Sequence, residues 1–374
     1  MRNDVSMDTV VVGGGVIGMS IAYGLARAGQ RVTVLDQGDD VFRAARGNFG
    51  LVWVQGKGLH RIEYARWSLA SATSWPAFAA ELTQRAGVDL ELSQIGGLRL
   101  ALKASDLEQQ SAEMASISAA IGRPYPFERL DDRQVRELVP QVGPEVVGGM
   151  FSPMDGHVSP LRLLRALFQA FAGLGGQVRT GEEVEAIEHR DGEFHLRTGN
   201  GHHVAGQVVL AAGLGNRKLA PQIGLDAPVH PERGQVIVTE RMRPFLRYPT
   251  IHVRQTGEGV MQLGDSKEDV GFDDGTSVSE LSRIARNAAR YFPLLANVNI
   301  VRSWGALRVM TPDGYPVYQA STQCPGAYVI TCHSGITLAA NHAGVIADWI
   351  RGGTEPPAIS TFKADRFNVQ TSAA

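Results

Sequence analysis

The stretch 10-VVVGGGVIGMSIAYGLARAGQRVTVLD-36 decides how the chain begins to fold. An apolar, β-branched run comes first, followed by Gly13, Gly15 and Gly18 in G-x-G-x-x-G spacing and then by an apolar stripe at helical spacing. A second apolar run, Arg31 to Asp36, comes next, so the pattern predicts two parallel strands joined by a helix. A lone glycine fingerprint is a weak signal, because NAD and FAD use the same loop.

The acidic residue at the end of this stretch makes the pattern more specific. Asp36 closes the second predicted strand, where a carboxylate accepts hydrogen bonds from the ribose hydroxyls of an adenosine and repels a 2′-phosphate. The combination of strand, glycines, helix, strand and acid predicts a dinucleotide site and disfavours NADP. Two plainer interpretations stay open, a structural turn at the glycines and a solvated strand end at Asp36.

Composition excludes several classes of protein. The 374 residues are enough for two compact domains or for one large domain with an insertion. A net charge of −2 without a basic block argues against a nucleic-acid-binding surface. The only cysteines, Cys324 and Cys332, form neither a disulfide framework nor a metal spacing, so no metal site is expected. Without a spanning apolar run or a signal-peptide core at the N-terminus, the sequence predicts a soluble, cytoplasmic protein.

Beyond residue 36 the chain alternates between helical and strand-like segments. Helices are predicted at 60–86, 105–120, 131–139, 161–173, 277–291 and 336–351. Strands are predicted at 89–103, 183–189, 193–197, 202–204, 207–213, 228–240, 249–254, 259–264 and 327–331, with a loop at 123–130 and a glycine- and proline-rich stretch at 146–160. A nucleotide-binding start that is interrupted and resumed in this way indicates two intertwined domains of α/β class.

Several segments resemble one family, and they do so in its order along the chain. The segments 11-VVGGGVIGMSIAYGLARAGQRVTVLD-36, 155-DGHVSP-160, 208-VVLAAG-213, 305-GALRVMTPDGYPV-317 and 333-HSGITLAANHAGVIADWI-350 resemble FAD-dependent oxidoreductases typified by D-amino-acid oxidase, glycine oxidase and monomeric sarcosine oxidase. Two more, 46-RGNFGLVWVQGKG-58 and 233-RGQVIVTERM-242, resemble the flavin subunit of bacterial opine (octopine and nopaline) oxidases and the related subunit of hydrogen cyanide synthase.

The resemblance implies a particular division of the chain. A Rossmann-like FAD-binding domain of the glutathione-reductase type, α/β in class, would comprise residues 1–85, 150–215 and 300–374. An α+β substrate domain with antiparallel sheets would comprise residues 86–149 and 216–299 and be interleaved with the first domain.

The resemblance also implies which residues contact the cofactor. They are Gly13, Gly15, Val16, Ile17, Gly18, Asp36, Gln37, Ala44, Ala45, Arg46, Asn48, Phe49, Gly50, Leu51, Val184, Ala211, Ala212, Gly213, Gly335, Ile336, Thr337 and Leu338. The pyrophosphate would lie at the N-terminus of the first helix, and backbone N–H groups at 335–337 would face the flavin. Ala306 stands where sarcosine oxidase has its flavin-linked cysteine, so non-covalent FAD is expected.

Three side chains are implied at the substrate. Arg308 matches the arginine that binds the amino-acid carboxylate in glycine oxidase, although a structural arginine paired with Asp313 is the alternative. His252 stands where glycine oxidase has a substrate-facing tyrosine, with a hydrogen-bonded strand histidine as its alternative, and His333 stands where it has a second arginine.

Other positions bear on the electron acceptor and on the surface. Thr337 occupies the place of the lysine that promotes oxygen reaction in sarcosine oxidase, so the loss of a cation favours another acceptor. Glu258 and Asp265 are expected on the surface.

The implied reaction is oxidation of an amine that carries an α-carboxylate, by hydride transfer to flavin N5 and hydrolysis of the resulting imine. Electrons would leave through partner subunits bearing an Fe–S centre or flavin, because this chain has no cysteine set for a cluster. A stand-alone oxidase or dehydrogenase for D-amino acids, glycine or sarcosine stays open, as do a hydrogen cyanide synthase-type glycine dehydrogenase subunit, a tRNA-modifying flavin domain and a non-catalytic FAD scaffold.

Overall fold

The opening stretch forms the strand–helix–strand unit that its pattern predicts, and the rest of the chain is built around it. A computed structural model of the chain describes residues 8–38 and 44–368. Within those ranges, no helix is both long enough and apolar enough to cross a membrane.

The chain contains strands of two to twelve residues. They are β1 Thr9–Val12, β2 Val32–Asp36, β3 Leu51–Val52, β4 Gly97–Ala101, β5 Glu128–Asp131, β6 Gly148–Ser152, β7 Gly156–His157, β8 Gln177–Thr180, β9 Val184–Arg190, β10 Glu193–Thr198, β11 Gly201–Ala205, β12 Gln207–Leu210, β13 His230–Arg241, β14 Val253–Gln255, β15 Val260–Leu263, β16 Ile300–Met310, β17 Val317–Ala320 and β18 Ala327–Thr331.

The helices are longest in the first half of the chain. They are α1 Val16–Arg27, α2 Ile62–Ala86, α3 Ala104–Ile121, α4 Asp132–Leu138, α5 Pro160–Gly173, α6 Asn216–Leu219, α7 Val278–Tyr291, α8 Gly335–Asn341 and α9 Ala347–Ile350. A π-helical turn, His342–Ile346, joins α8 to α9, and short 3-10 turns lie at Gly213–Gly215, Ala220–Ile223, Pro293–Asn297, Pro357–Phe362 and Ala364–Phe367.

A six-stranded sheet in the order β17-β18-β12-β1-β2-β8 carries the nucleotide-binding pattern. Its strands are parallel except for β17, and β1 pairs with both β2 and β12, placing Val11 beside Val34 and Val209. Both faces of β1 are covered, which explains its unbroken valine run. Loops that leave adjacent parallel strands at their carboxyl ends form a crevice, so the sheet predicts a ligand site beyond β1, β2 and β12.

Helix α1 is fixed to the C-terminal helix at a second point. A Cβ added at Gly24 would lie 2.2 Å from the carbonyl oxygen of Ala343, so only glycine permits this contact. Arg27 Nη2 donates to the same oxygen at 2.9 Å. Close packing therefore joins α1 to the π-helical turn.

The strands outside the six-stranded sheet pair in antiparallel sheets. The sheet β14-β15-β13-β16 and the sheet β4-β6-β5 share one apolar core with α7, in which Leu98, Leu130, Ile237 and Ile284 are buried. Leu98 N–H donates to the Pro249 carbonyl at 2.9 Å and links β4 to the segment that leads into β14.

The predicted division into FAD-binding and substrate domains stays a prediction, and two of its boundaries disagree with the sheets. Residue 150 lies inside β6, which pairs with β4, and residue 300 begins β16, which pairs with β13 along its length. By sheet membership we propose boundaries near 153 and 311 instead. The outermost predicted bounds, residues 1 and 374, lie outside the described residues.

Two short edge strands are among the elements that the sequence patterns missed. The predicted loop 123–130 ends in β5, where only Leu130 is buried, and the sequence pattern predicts no strand at β8. Both lie at sheet edges with mostly exposed side chains, so neither shows the apolar alternation that marks a half-buried strand. Strand β6 lies within the glycine- and proline-rich 146–160 stretch, and the predicted strand 89–103 is regular only over Gly97–Ala101.

Candidate active site

A first cavity, with a volume of about 1080 Å³, opens at the carboxyl ends of β1, β2 and β12. Among its lining residues are Gly13, Gly15, Val16, Ile17, Asp36, Gln37, Ala44, Ala45, Asn48, Val184, Ala211, Ala212, Gly213, Gly335 and Ile336. The walls therefore come from separate segments that the parallel sheet brings together.

The three glycines of the fingerprint serve different purposes. Gly13 has φ +109° and a Cβ there would lie 2.5 Å from the Ala211 oxygen, while a Cβ at Gly18 would lie 1.9 Å from the Gly13 oxygen. Those two glycines allow the chain to pack on itself. A Cβ at Gly15 would meet only the Ala45 Cβ, at 3.8 Å, and would otherwise stand in the cavity wall. Gly15 is therefore the glycine that leaves room for a ligand.

Asp36 holds this loop as well as lining the cavity. Its Oδ2 accepts from the Gly14 N–H at 2.7 Å and its Oδ1 accepts from the Gly38 N–H at 2.9 Å. Each carboxylate oxygen has a second lone pair, so these bonds leave capacity for ligand hydroxyls.

A second cavity, of about 1070 Å³, continues from the first between the two sheet systems. The two share Ala44, Asn48, Val309, Cys332, His333 and Ile336 in their walls. The second cavity adds the apolar side chains Phe49, Trp53, Ile251 and Leu307 and the polar side chains Lys57, Asp265, Arg308, Ser334 and Thr337. It thus has the character of small-molecule sites, mostly apolar with a few convergent polar groups.

Arg308 lies in the wall of the second cavity and is held by acids. Its Nη2 donates to Asp265 Oδ2 at 2.6 Å, and its Nη1 donates to Glu232 Oε1 at 3.1 Å and to the Ser266 carbonyl at 2.9 Å. Asp313, the partner considered from the sequence, instead bonds Arg366. Asp265, which the sequence predicts on the surface, has a side chain that is 34% exposed, and its carboxylate faces Arg308 in the cavity wall.

The guanidinium of Arg308 lies flat over a glycine. A Cβ at Gly234 would be 2.5 Å from Nη2 and 2.7 Å from Cζ. Among the described residues, no acceptor is recorded for Nε or for the second Nη2 hydrogen. One edge of the guanidinium therefore keeps two donors in the geometry that suits a carboxylate.

His333 lies between the two cavities as a neutral ring. Burial lowers the pKa of His333 to about 3, and the nearby charges of Lys57, Arg308 and Lys267 lower it further. Its Nε2 lies 3.1 Å from Ser334 Oγ. A neutral imidazole at this place can accept or donate one hydrogen bond but cannot pair with a carboxylate as an arginine would.

Lys57 is a polar group that the sequence analysis missed. Its Nζ donates to Ser334 Oγ at 2.9 Å and to Thr337 Oγ1 at 3.1 Å. From the sequence no cation is expected at Thr337, whereas the structure places the amine of Lys57, from a remote part of the chain, 3.1 Å from the Thr337 hydroxyl. The inference about the electron acceptor stays a prediction. The lysine stands in the quoted 46–58 segment, but no spacing rule connects residues 57 and 337.

Asp155 fixes the loop that carries Lys57. Its carboxylate accepts from the Val54 N–H at 2.5 Å and from Gln55 Nε2 at 2.7 Å. Tyr125 OH donates to the Val54 carbonyl at 2.9 Å. Burial raises the pKa of Asp155 to about 7, against the hydrogen bonds that favour its carboxylate. Asp155, the acid of the DGHVSP segment, therefore fixes the conformation of the loop that carries Lys57.

The structure does not bring every predicted residue to the cavities. The ring of His252 stacks on Tyr291, with centroids 5.6 Å apart, while Ile251 lines the cavity. Burial lowers the pKa of His252, against the opposing charge of Asp265. The strand histidine that the sequence left as an alternative fits this geometry better than a substrate contact.

Four predicted cofactor residues line neither of the two cavities: Gly18, Arg46, Gly50 and Leu338. Leu338 is fully buried in the apolar core, and Gly18 packs on Gly13. Gly50 has φ +88°, and its N–H donates to Asn48 Oδ1 at 2.7 Å. The other predicted cofactor residues line one cavity or both, and their individual contacts stay predictions.

The residues of the joined cavities fit an FAD. The first cavity offers an uncapped N-terminus at α1, where among the described residues no side chain caps Gly15, and room beside that glycine for a pyrophosphate. Where the cavities meet, α8 begins: the Leu338 N–H makes the first helical bond, to the Ser334 carbonyl, so the N–H groups of 335–337 precede the ladder. A long ligand with anionic groups near both helix starts is accommodated.

Comparison with known proteins gives the same result. The profile of the family described as "FAD dependent oxidoreductase" matches residues 8–349. The chain is 43% identical over 365 residues to an opine oxidase subunit of Agrobacterium tumefaciens (strain Ach5), covering 97% of this chain and 98% of that protein, and 42% identical over 365 residues to the corresponding protein of Rhizobium meliloti, with the same coverage. Glycine oxidase from Geobacillus kaustophilus superimposes with a TM-score of 0.88 at 25% identity, covering 96% of this chain and 98% of that one.

The fingerprint loop, the paired cavities and the matched profile agree on cofactor and fold. The family match spans most of the chain rather than the nucleotide-binding unit alone. The chain therefore belongs to the family of FAD-dependent oxidoreductases.

Proposed function

We propose that this enzyme oxidises the C–N bond of an amine carrying an α-carboxylate, with an opine-type secondary amine as substrate, as the flavin subunit of a dehydrogenase complex. Two relatives that match over almost their whole length are named as subunits of opine oxidase. The observation that carries the proposal is Arg308, a guanidinium with two donors available at the wall of an apolar cavity.

Substrate orientation would depend on that guanidinium. A carboxylate on the Nε–Nη2 edge of Arg308 forms two parallel hydrogen bonds, which fix direction as well as position. Asp265 and Glu232 hold the guanidinium from its other side and so prevent rotation of the fork. The adjoining apolar walls, Trp53 and Ile251 among them, would exclude water from the reacting carbon.

Bound FAD would supply a two-electron acceptor, for which the residues at the junction of the cavities offer room. The neutral amine would give up the hydrogen of its α-carbon as hydride, with flavin N5 as the proposed acceptor, and would become a protonated imine. Water then adds to the imine carbon, and the C–N bond breaks to release a keto acid and an amine. The protein supplies position through Arg308 and electrostatic support through the N–H groups at 335–337.

Electrons would leave through another polypeptide. The word "subunit" in the names of the two relatives supports an assembly, and this chain has only two cysteines, too few to hold an Fe–S cluster. We propose a partner that carries an Fe–S centre or a second flavin as electron acceptor.

A stand-alone oxidase for glycine, sarcosine or a D-amino acid is the second candidate. The likeness to glycine oxidase favours it. Lys57 favours it too, because its amine lies 3.1 Å from Thr337 Oγ1, and the absence of a cation at Thr337 was the reason to expect an electron acceptor other than oxygen. A glycine dehydrogenase subunit of the hydrogen cyanide synthase type falls between these two candidates.

An anaerobic titration of the FAD-loaded chain separates the candidates. Octopine, nopaline, D-amino acids, glycine, sarcosine and proline are added in turn while the visible flavin absorbance is followed. We expect bleaching by an opine, no bleaching in Arg308→Met, and slow recovery of colour when air returns. Bleaching by glycine followed by fast reoxidation would favour the stand-alone oxidase, and an unbleached flavin with every amine would refute the proposed function.

A further inference from the structure

The amine of Lys57 is held by two hydroxyl groups whose own hydrogens are already committed. Thr337 Oγ1 donates to the Leu51 carbonyl at 3.3 Å and accepts from Lys57. Ser334 Oγ accepts from both Tyr64 OH, at 2.7 Å, and Lys57. Burial raises the pKa of Tyr64 well above its usual value, so the phenol keeps its proton and acts as the donor.

The hydrogen of the Ser334 hydroxyl must then go to His333. With both of its lone pairs occupied, Ser334 Oγ donates to His333 Nε2, 3.1 Å away. This donation requires an unprotonated Nε2, and the neutral state of the buried ring satisfies that requirement. Both hydroxyls are therefore acceptors toward Lys57, which donates two N–H groups in a fixed direction.

Two committed donors leave one position on the nitrogen of Lys57. A neutral amine has two hydrogens and one lone pair, whereas an ammonium has a third hydrogen in place of that lone pair. Among the described residues, no third acceptor is recorded for Nζ, and the side chain lines the second cavity together with Arg308. The remaining position is thus the one at which a ligand in this cavity can meet the amine.

We propose that Lys57 accepts the proton of the substrate's ammonium group and so makes the neutral amine that the reaction requires. This inference rests on the proposed function, since it concerns an amine anchored by Arg308. In the step, one N–H bond of the substrate breaks, its electron pair stays on the substrate nitrogen, and the proton bonds to the lone pair of Lys57. No electrons are exchanged, and the proton returns to water after the product leaves.

The charges around Lys57 are consistent with a group that can exist in both states. Burial lowers its pKa to about 8, while the nearby Asp155 and Cys332 oppose the shift. Asp155 is itself a weak counter-charge because burial raises its pKa to about 7, and burial raises the pKa of the Cys332 thiol to about 12. Of the other nearby groups, Tyr64 and His333 are neutral, and Arg308, which lines the same cavity, is cationic.

The decisive experiment compares Lys57→Met and Lys57→Arg with the wild-type holoenzyme and with Lys267→Met. Lys267 is an exposed lysine whose charge also acts on His333, and it does not line the cavity. Flavin reduction by the amine found in the panel is timed anaerobically from pH 6 to pH 10. We expect both Lys57 variants to be slower at pH 7 by about 10²- to 10⁴-fold, recovering as the pH approaches the pKa of the free substrate amine.

A binding measurement tests the same residue without turnover. Acetate, a carboxylate without an amine, is titrated into each holoenzyme, and its Kd is read from the flavin spectrum. In the wild type, we expect binding to weaken above a break near pH 8, where Lys57 loses its charge. The break should disappear in Lys57→Arg, which stays charged, and in Lys57→Met, and it should persist in Lys267→Met.

The outcomes separate the two proposals. A wild type reduced by the amine, with Lys57→Arg as fast as wild type at pH 7, would show that charge alone matters and would overturn the role of Lys57 only. Loss of the acetate break together with unaltered reduction kinetics in Lys57→Met would do the same. A wild type that no amine reduces would overturn the proposed function, and this inference with it.

Discussion

Two alanine substitutions within one loop, Gly15→Ala and Gly18→Ala, should separate cofactor contact from folding. At Gly15 a new Cβ meets protein only at 3.8 Å, and the residue's φ of −73° and ψ of 179° suit alanine. At Gly18 the new Cβ would lie 1.9 Å from a backbone oxygen, so the turn itself must move. One methyl group thus enters the ligand space and the other enters the protein.

The expected magnitudes differ accordingly. In the apoprotein, Gly15→Ala should change the free energy of unfolding by no more than about 1 kcal/mol, since the conformation is compatible. Gly18→Ala should cost about 1–3 kcal/mol or more, as overpacking does. For FAD binding, Gly15→Ala is the substitution with the direct effect. Its new Cβ should displace the pyrophosphate by overpacking and weaken FAD binding by about 1–3 kcal/mol, which is about 5- to 150-fold in Kd.

Denaturant unfolding of the apoproteins and FAD titration by fluorescence quenching measure the two quantities. The reasoning predicts a Gly15→Ala protein that is as stable as wild type without cofactor yet binds FAD weakly. Wild-type FAD affinity in Gly15→Ala would place the pyrophosphate elsewhere. Equal destabilisation of both apoproteins would show that Gly15 is a packing residue.

Three further outcomes can be checked directly. Arg308→Met should lose about 2–5 kcal/mol of affinity for a carboxylate ligand, as measured by spectral titration. Gly234→Ala, whose Cβ would meet the guanidinium at 2.5 Å, should lose part of that affinity. Binding as tight as in the wild type in both variants would contradict the role of Arg308. Burial lowers the pKa of His342 to about 3, so between pH 7 and pH 5 only the unfolded chain gains a proton at this residue. The free energy of unfolding should therefore fall as the pH falls through this range, and His342→Gln should remove about 2 kcal/mol of that fall. The same pH dependence of denaturant unfolding in wild type and His342→Gln would refute the assignment. With Ala306 at the attachment position, acid precipitation should leave the yellow colour in the supernatant, and colour retained in the pellet would indicate a covalent bond.

The parts of this fold that the sequence predicted share one property: their signal is local. The β1–α1–β2 unit shows its glycines, its valine run and Asp36 within a single stretch, and the six-stranded sheet confirms it. Strand β8 belongs to the same sheet but lies at its edge, where an exposed strand needs no apolar pattern.

The candidate site was harder to predict, because it is assembled from distant segments. Arg308 could be proposed from resemblance, but its partner Asp265 lies 43 positions earlier, on another part of the antiparallel sheet system. Lys57 reaches Ser334 across 277 positions, through a loop held by the buried carboxylate of Asp155. No periodicity connects such residues, since tertiary packing alone determines which side chains meet.

The close contact between Gly24 and Ala343 has a consequence for cofactor choice. It joins α1 to the helical segment that begins with α8 at Gly335, so the distance between the N-termini of α1 and α8 is fixed. The N-terminus of α1 lies beside Gly15, and the N-terminus of α8 lies at the junction of the two cavities. A ligand must match that distance to contact both N-termini. FMN carries the flavin and one phosphate and could contact both N-termini, but it lacks the adenosine that Asp36 and Val184 would hold in the first cavity. The fixed distance therefore suits a flavin phosphate, and the rest of the first cavity favours FAD over FMN.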